Sequence, residues 1–311
     1  MTRQPGDGST AALVPPICTA STIAVLFLFA QAATAASAAA ADRPGSYPSP
    51  PGQCGLKGSP TSPVSAVSDA ENLMLADGRE INLGLISASL DDAAGRRALH
   101  DLVVGRAVTL AAPGETAAKT ADRYGRLRGT AAVRIGDELV WLQGALVSGG
   151  HARVSLDAAG ACGHKELLRL ENEARRRGVG HWATGVFTVL DATNASEVAA
   201  LTGHFAIVEG RLRRRSKSRK GIYFNFGTNW RDDVTIFVPG RLLKQQRGTA
   251  EQSKGPKNQQ RQGAKAPSIA AAFDLKSRLP AGTRIRARGW IEERAGPMIE
   301  VQNLDQIEWA D

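Results

Sequence analysis

The sequence predicts a mainly β chain with helices, an α+β protein built as two five-stranded barrels in tandem. Three observations predict it. Short runs alternating apolar and polar residues, the mark of half-buried strands, recur five times in residues 62–183 and five times in 203–311. In the first block a helical pattern follows the third strand and further helices close the block, the order of an OB-type barrel. A Pro/Gly/Ser-rich stretch at 42–61 and a linker at 184–202 set the blocks apart, and 311 residues suffice for two such domains.

From the N-terminus, the run ICTASTIAVLFLFAQAATAASAAAA (17–41) is uncharged, with Arg3 the only basic residue ahead of it. An apolar core from Ile23 to Phe29, then small residues with Ala36-Ser37-Ala38 as a cleavage site, reads as a secretory signal peptide over 1–41. The alternative is an uncleaved anchor, because the run is long enough for a bilayer core of about 30 Å. Both imply export, to the periplasm or beyond. Cys18 lies in this segment, leaving Cys54 and Cys162 in the remaining chain. Two cysteines in an oxidising compartment pair most simply as a disulfide; two buried thiols are the alternative. No CxxC or Cys/His cluster appears, which argues against structural zinc.

In the first block, PVSAVSD and NLMLADGREINLGLIS read as three strands, with ADG at 76–78 as a tight turn. DDAAGRRALHDLVVG places Ala94, Leu99, Leu102 and Val103 at helical spacing and ends in glycine. AVTLAA and RLRGTAAVRIG are strands, ELVWLQGALVSGG turns from strand to short helix, and KELLRLENEARRRGVGHWA is an amphipathic helix. In the second block HFAIVEGRLRRR, GIYFNFG, DVTIFVP, TRIRARGWIEER and PMIEVQNLDQIEW are strand-like. Residues 244–268 carry six lysines and arginines against Glu251 alone and read as a disordered basic insertion, followed by a short helix, AAFDLKSRL.

A net charge of +9 favours an acidic partner, nucleic acid above all, or an anionic surface. In the second block Arg211, Arg213 and Arg215 alternate along one strand, and Arg284, Arg286 and Arg288 along another. Tyr223 and Phe224 point to opposite faces of a neighbouring strand, so one of them can be a stacking platform; Trp230 follows. Basic side chains beside aromatics on a barrel face are the pattern that holds single-stranded nucleic acid. The same pattern also fits a solvated exterior. His100, His151, His164 and His181 show no metal-ligand or triad spacing and read as solvated, turn, helix-start and helix-end residues.

In this order, LMLADGREINLGLIS, DRYGRLRG, ELVWLQGALVSGGHARV and ELLRLENEARRRGVGHW resemble the staphylococcal-nuclease-like (thermonuclease) domain over most of 62–183. VEGRLRRR, GIYFNFGTNWRDDVTIFVP and RIRARGWIEERAGPMIEVQNLDQIE resemble the OB-like C-terminal extension of some exported bacterial proteins of this kind. The resemblance implies calcium-dependent phosphodiester hydrolysis. An acidic pair and a backbone oxygen hold the cation, two arginines stabilise the pentavalent phosphorus, and a glutamate assists the water.

This chain departs from that pattern. The family segment R-L-x-G-I-D-A-P-E reads INLGLISASL, so Asn82 replaces the first arginine, Ser87 the metal-binding aspartate and Leu90 the glutamate. The acidic motif DGDT reads Asp69-Ala70-Glu71-Asn72, leaving Asp69 and Glu71 as weak calcium candidates. Only Arg126 keeps the second arginine position. Asp91 and Arg128 stand close enough in sequence to replace the lost glutamate and guanidinium, but a displacement of about 1 Å already costs about 100-fold in rate. The expectation is an exported protein that binds DNA, RNA or another polyanion, with catalysis lost or strongly reduced. The alternatives are an active calcium-dependent nuclease with a rearranged site and an envelope scaffold with a protein partner. No small-molecule cofactor is implied.

Overall fold

The period-two alternation of β2 (Asn72–Leu75) and β3 (Glu80–Leu83) buries every second residue of each. Gly78, at φ +83°, supplies the left-handed residue that the hairpin between them needs. The computed structural model describes residues 47–54, 56, 60–89, 92–111, 121, 124–156, 162–229, 231–244 and 281–310. The signal-peptide segment, Leu90, Asp91, Trp230, residues 245–268 of the basic insertion and the helix expected after it lie outside the described residues.

β1 (Pro60–Val67) pairs with β2 and with β5 (Ala107–Ala111), and β5 pairs with β6 (Leu127–Ile135). β6 also pairs in parallel with β3, which closes a five-stranded barrel in the order β1-β2-β3-β6-β5. β7 (Glu138–Trp141) extends β6 outside the closure, and β4 (Ile86–Ala88) forms a small ladder with β8 (Ala152–Val154). As expected, a helix follows the early strands: α1 (Ala93–Val103), capped by Asp92, whose Oδ1 accepts the Gly95 N–H at 2.6 Å. α2 (Leu142–Ser148) and α3 (His164–Arg177) pack against the barrel, and the core joins Leu73, Ile81, Leu99, Val133, Leu146 and Leu167. Sequence periodicity ran the last helix on to Ala183. Instead Gly178, at φ +59°, ends α3, and a separate turn, α4 (His181–Thr184), follows.

Gln143 on α2 is fully buried where β6 passes from one neighbour to the other. Its amide donates to Gly129 O (2.8 Å) and Gly84 O (3.3 Å), and its oxygen accepts Ala131 N–H (3.1 Å). One side chain thus bonds three backbone groups at the point where β6 changes partner.

The second block differs from the closed barrel expected. Its eight strands are β9 (Val189–Asp191), β10 (Phe205–Arg211), β11 (Arg214–Lys217), β12 (Gly221–Asn225), β13 (Thr235–Pro239), β14 (Arg284–Glu293), β15 (Pro297–Glu300) and β16 (Ile307–Trp309). They run β11-β12-β13-β15-β14-β10-β9, with β16 on β14, and among the described residues the ends β11 and β9 do not meet. The stretch 184–202, read as a linker, carries β9 and α5 (Ala195–Ala199). β9 joins β10 in parallel, and Asn194 caps α5 by accepting the Glu197 N–H, so this stretch belongs to the second sheet. Leu190, Val208, Phe224, Ile236, Ile285 and Ile299 form a second apolar core.

Residues Gly45–Asp311 form one compact unit, and a buried polar network joins its two cores. Arg288 on β14 donates to Glu171 Oε2 on α3 and to Val154 O, each at 2.8 Å, and bonds Glu308 on β16. Gln306 donates to Ser155 O at 3.1 Å, and the Asn303 amide bonds Leu156 O. Cys54 and Cys162 form the expected disulfide. No helix among the described residues is long and apolar enough to cross a membrane.

Candidate functional site

The barrel's strand register places three polar side chains side by side. Asn72 on β2 is paired with Asn82 on β3, and Asn82 with Arg128 on β6. Hydrogen bonds follow that ladder. Asn72 donates its amide to both Asp69 oxygens (2.9 and 2.8 Å), Asn82 donates to Asn72 Oδ1 (2.9 Å), and Arg128 Nε donates to Asn82 Oδ1 (3.1 Å). Asn82 therefore orients the Arg128 guanidinium.

That arginine lines a cleft of about 620 Å³. Arg126 and Arg128 reach it from the start of β6, and Arg153 from β8, directly opposite Ser87 of β4. Gly125, at φ +78°, turns the chain just ahead of Arg126, whose guanidinium lies 5.3 Å from the Tyr124 ring centre. Glu71, Asn82 and Ser87 complete the first barrel's side of the cleft, and Phe205 and Trp290 close it from the second sheet. Trp290 is 59% exposed and meets Phe205 edge to face. The Arg153 guanidinium sits 4.6 Å from the Phe187 ring centre and 5.1 Å from that of Phe205. Burial pushes it down to about 10, against the pull of Glu171. It stays charged at neutral pH.

The acidic positions do not fit calcium, which takes six to eight oxygen ligands as a rule. Asp69 turns its carboxylate inward: Oδ1 accepts the N–H groups of Glu71 (2.7 Å) and Asn72 (2.9 Å) besides the Asn72 amide. Glu71 accepts the Ala88 N–H. Among the described residues neither belongs to a group of three metal-ligating side chains.

The second sheet places its predicted residues unevenly. The row Arg211, Arg213, Arg215 is broken, because buried Leu212 turns the chain between β10 and β11. Arg211 stays opposite Arg284, whereas Arg215 faces Phe224 on the next strand. The row Arg284, Arg286, Arg288 is committed to ion pairs. Arg284 Nη2 lies 2.5 Å from Glu209 Oε1, and Arg286 Nε donates to Glu209 Oε2 at 2.7 Å. Arg288 is 0% exposed and presents no face to a ligand. Phe224 is buried, while Tyr223 stacks on Phe237 with ring centres 4.5 Å apart. These two rings line a second cleft, of about 540 Å³, with Arg214, Lys217, Lys220 and Arg294.

Sequence reasoning missed Arg153 and Trp290. Trp290 had a signal: by alternation it shares a face of β14 with Arg286 and Arg288, where a large aromatic is out of place without a partner. The histidine reading also needs correction. His100 is exposed, and His164 lies 3.7 Å from Asp305, but His151 and His181 converge on Asp92. Two glycine turns bring them together. The backbones at Gly150 (φ +71°) and Gly180 (φ +56°) approach so closely that a Cβ on either would fall within 2.4 Å of a carbonyl oxygen. His181 N–H then donates to Gly150 O at 3.0 Å. Compared with known proteins, the chain matches no protein-family model and no curated protein.

Proposed function

We propose that this chain is an exported binding protein for nucleic acid or a similar polyanion, which a nuclease-like cleft grips without cutting. One observation carries the reading: Arg126, Arg128 and Arg153 line one cleft whose acidic positions are replaced or turned into the protein. Charged guanidinia without a cation or a free carboxylate hold phosphates but do not activate water. Trp290, and Tyr223 on Phe237 in the second cleft, offer rings on which bases stack. The closed barrel and the sequence resemblance support a thermonuclease-like first domain, and the second sheet a degenerate OB-like partner. The apolar N-terminal run and the disulfide support export.

The test uses labelled single-stranded DNA and RNA, each with calcium and with chelator. Binding at low salt and intact oligonucleotides are expected. Arg153→Ala should weaken binding about tenfold, the worth of one charge-assisted contact. Affinity should stay flat across neutral pH and fall as pH rises through about 10, because Arg153 then loses its charge and binding must restore the proton. Chelator-sensitive cleavage that vanishes in Arg126→Ala would overturn the proposal in favour of an active nuclease.

A further inference from the structure

Three ligand-type side chains meet away from the arginine cleft. Asp92 precedes α1, His151 follows the glycine turn after α2, and His181 opens α4. One ligand atom from each lies within 4.8 Å of the others. His181 Nε2 is 2.8 Å and His151 Nδ1 4.0 Å from the same oxygen, Asp92 Oδ2. Ligand atoms about 2.1 Å from one zinc ion stand about 3.4 Å apart at tetrahedral angles, between these two separations.

The chemistry of the buried atoms agrees. The Asp92 side chain is 1% exposed, and its Oδ2 has no hydrogen-bond partner among the described residues. His181 Nε2 lies 2.8 Å from it, within ion-pair range, and likewise makes no hydrogen bond. Two buried polar atoms facing each other without a hydrogen bond are costly unless a third group bonds to both. The other carboxylate oxygen is fixed by the Gly95 N–H at 2.6 Å, the outer-sphere bond that aims a ligating carboxylate. Gly95 is required for this arrangement: a Cβ there would lie 2.0 Å from Asp92 Oδ2.

We infer that Asp92, His151 and His181 bind one divalent transition-metal ion of the zinc class, with water completing its coordination. Imidazole nitrogens with one carboxylate select zinc, cobalt or nickel over calcium and magnesium. The ion ties the start of α1, the turn after α2 and α4 to one point.

The experiment uses tag-free protein with its disulfide intact, stripped with chelator and dialysed into metal-free buffer. Calorimetric titration with Zn²⁺ should give one equivalent per chain, Co²⁺ should develop visible d–d absorption, and Zn²⁺ should raise Tm. His181→Ala and His151→Ala should weaken Zn²⁺ binding by at least about 100-fold, beyond what loss of an outer-sphere partner costs. His100→Ala, altering an exposed histidine, should bind as wild type. If an alanine variant fails to fold, Asp92→Asn serves: it keeps the oxygen that caps α1 and removes the ligating one. Absence of stoichiometric uptake by the wild-type protein, or unchanged affinity in Asp92→Asn and His181→Ala, would overturn the inference.

Discussion

Arg288→Met is expected to lower the unfolding free energy by about 3–5 kcal/mol, measured by urea denaturation. Arg288 is the only cation bonded to both Glu171 and Glu308 among the described residues, and its guanidinium and the Glu171 carboxylate are 0% exposed. Burial opposes the charge on Arg288, and Glu171 and then Glu308 more than offset it, so its pKa is raised. Methionine would fill much of the volume but strand a buried carboxylate. The cost comes from that stranded charge more than from the lost attraction. Glu171→Gln in the same chain should recover part of it, since the amide oxygen can still accept the Val154 N–H that Glu171 Oε1 holds at 2.6 Å. A loss below about 1 kcal/mol in the single variant would mean that the network does not join the two cores as described.

Loss of the disulfide should have a comparable effect. Cys54 and Cys162 are 108 residues apart, and closing a loop of that size removes unfolded-state entropy worth about 4–5 kcal/mol. The bond also anchors the segment that leads into β1. Pro48 O accepts the Trp141 N–H at 2.9 Å, and Gly163, beside Cys162, packs so closely on the Trp141 ring that a Cβ would approach within 2.9 Å. Cys54→Ser should therefore lower Tm by about 10 °C. Reduction before alkylation should add two more alkyl groups to the wild-type protein than alkylation alone, and destabilise it equally. An unchanged Tm on complete reduction would contradict this.

Much of the first barrel was legible because its signals are local. NLMLADGREINL carries both strand alternation and turn chemistry, and α1 carries helical apolar spacing and a closing glycine. The disulfide was legible by counting. The closure of β3 on β6 was not, since a parallel pairing of residues 46 positions apart leaves no local trace. The second sheet was read less well for the same reason. Alternation placed Arg284, Arg286 and Arg288 on one face correctly, yet could not show that Glu209, Glu171 and Glu308 would claim them. The row Arg211, Arg213, Arg215 failed because Leu212 is buried at a strand change, a tertiary demand that a run of arginines conceals. The cleft was half legible. Arg126 and Arg128 could be read from the chain, but Arg153 enters through its pairing with Ser87, and Trp290 comes from the other sheet. His151 and His181 are drawn to Asp92 only by the contact of two glycine turns.

The central claim, that the cleft grips phosphates through arginines without cutting, is tested most directly by the salt dependence of binding. The measurement is fluorescence anisotropy of a labelled single-stranded oligonucleotide over a range of salt, for the wild-type protein and Arg126→Ala/Arg128→Ala. Each phosphate contact contributes about −0.7 to the slope of log affinity against log salt for a single strand. The double variant should bind more weakly with a slope shallower by about 1.4, and the oligonucleotide should be recovered intact from both proteins. No binding at low salt, or equal slopes for the two proteins, would contradict the account.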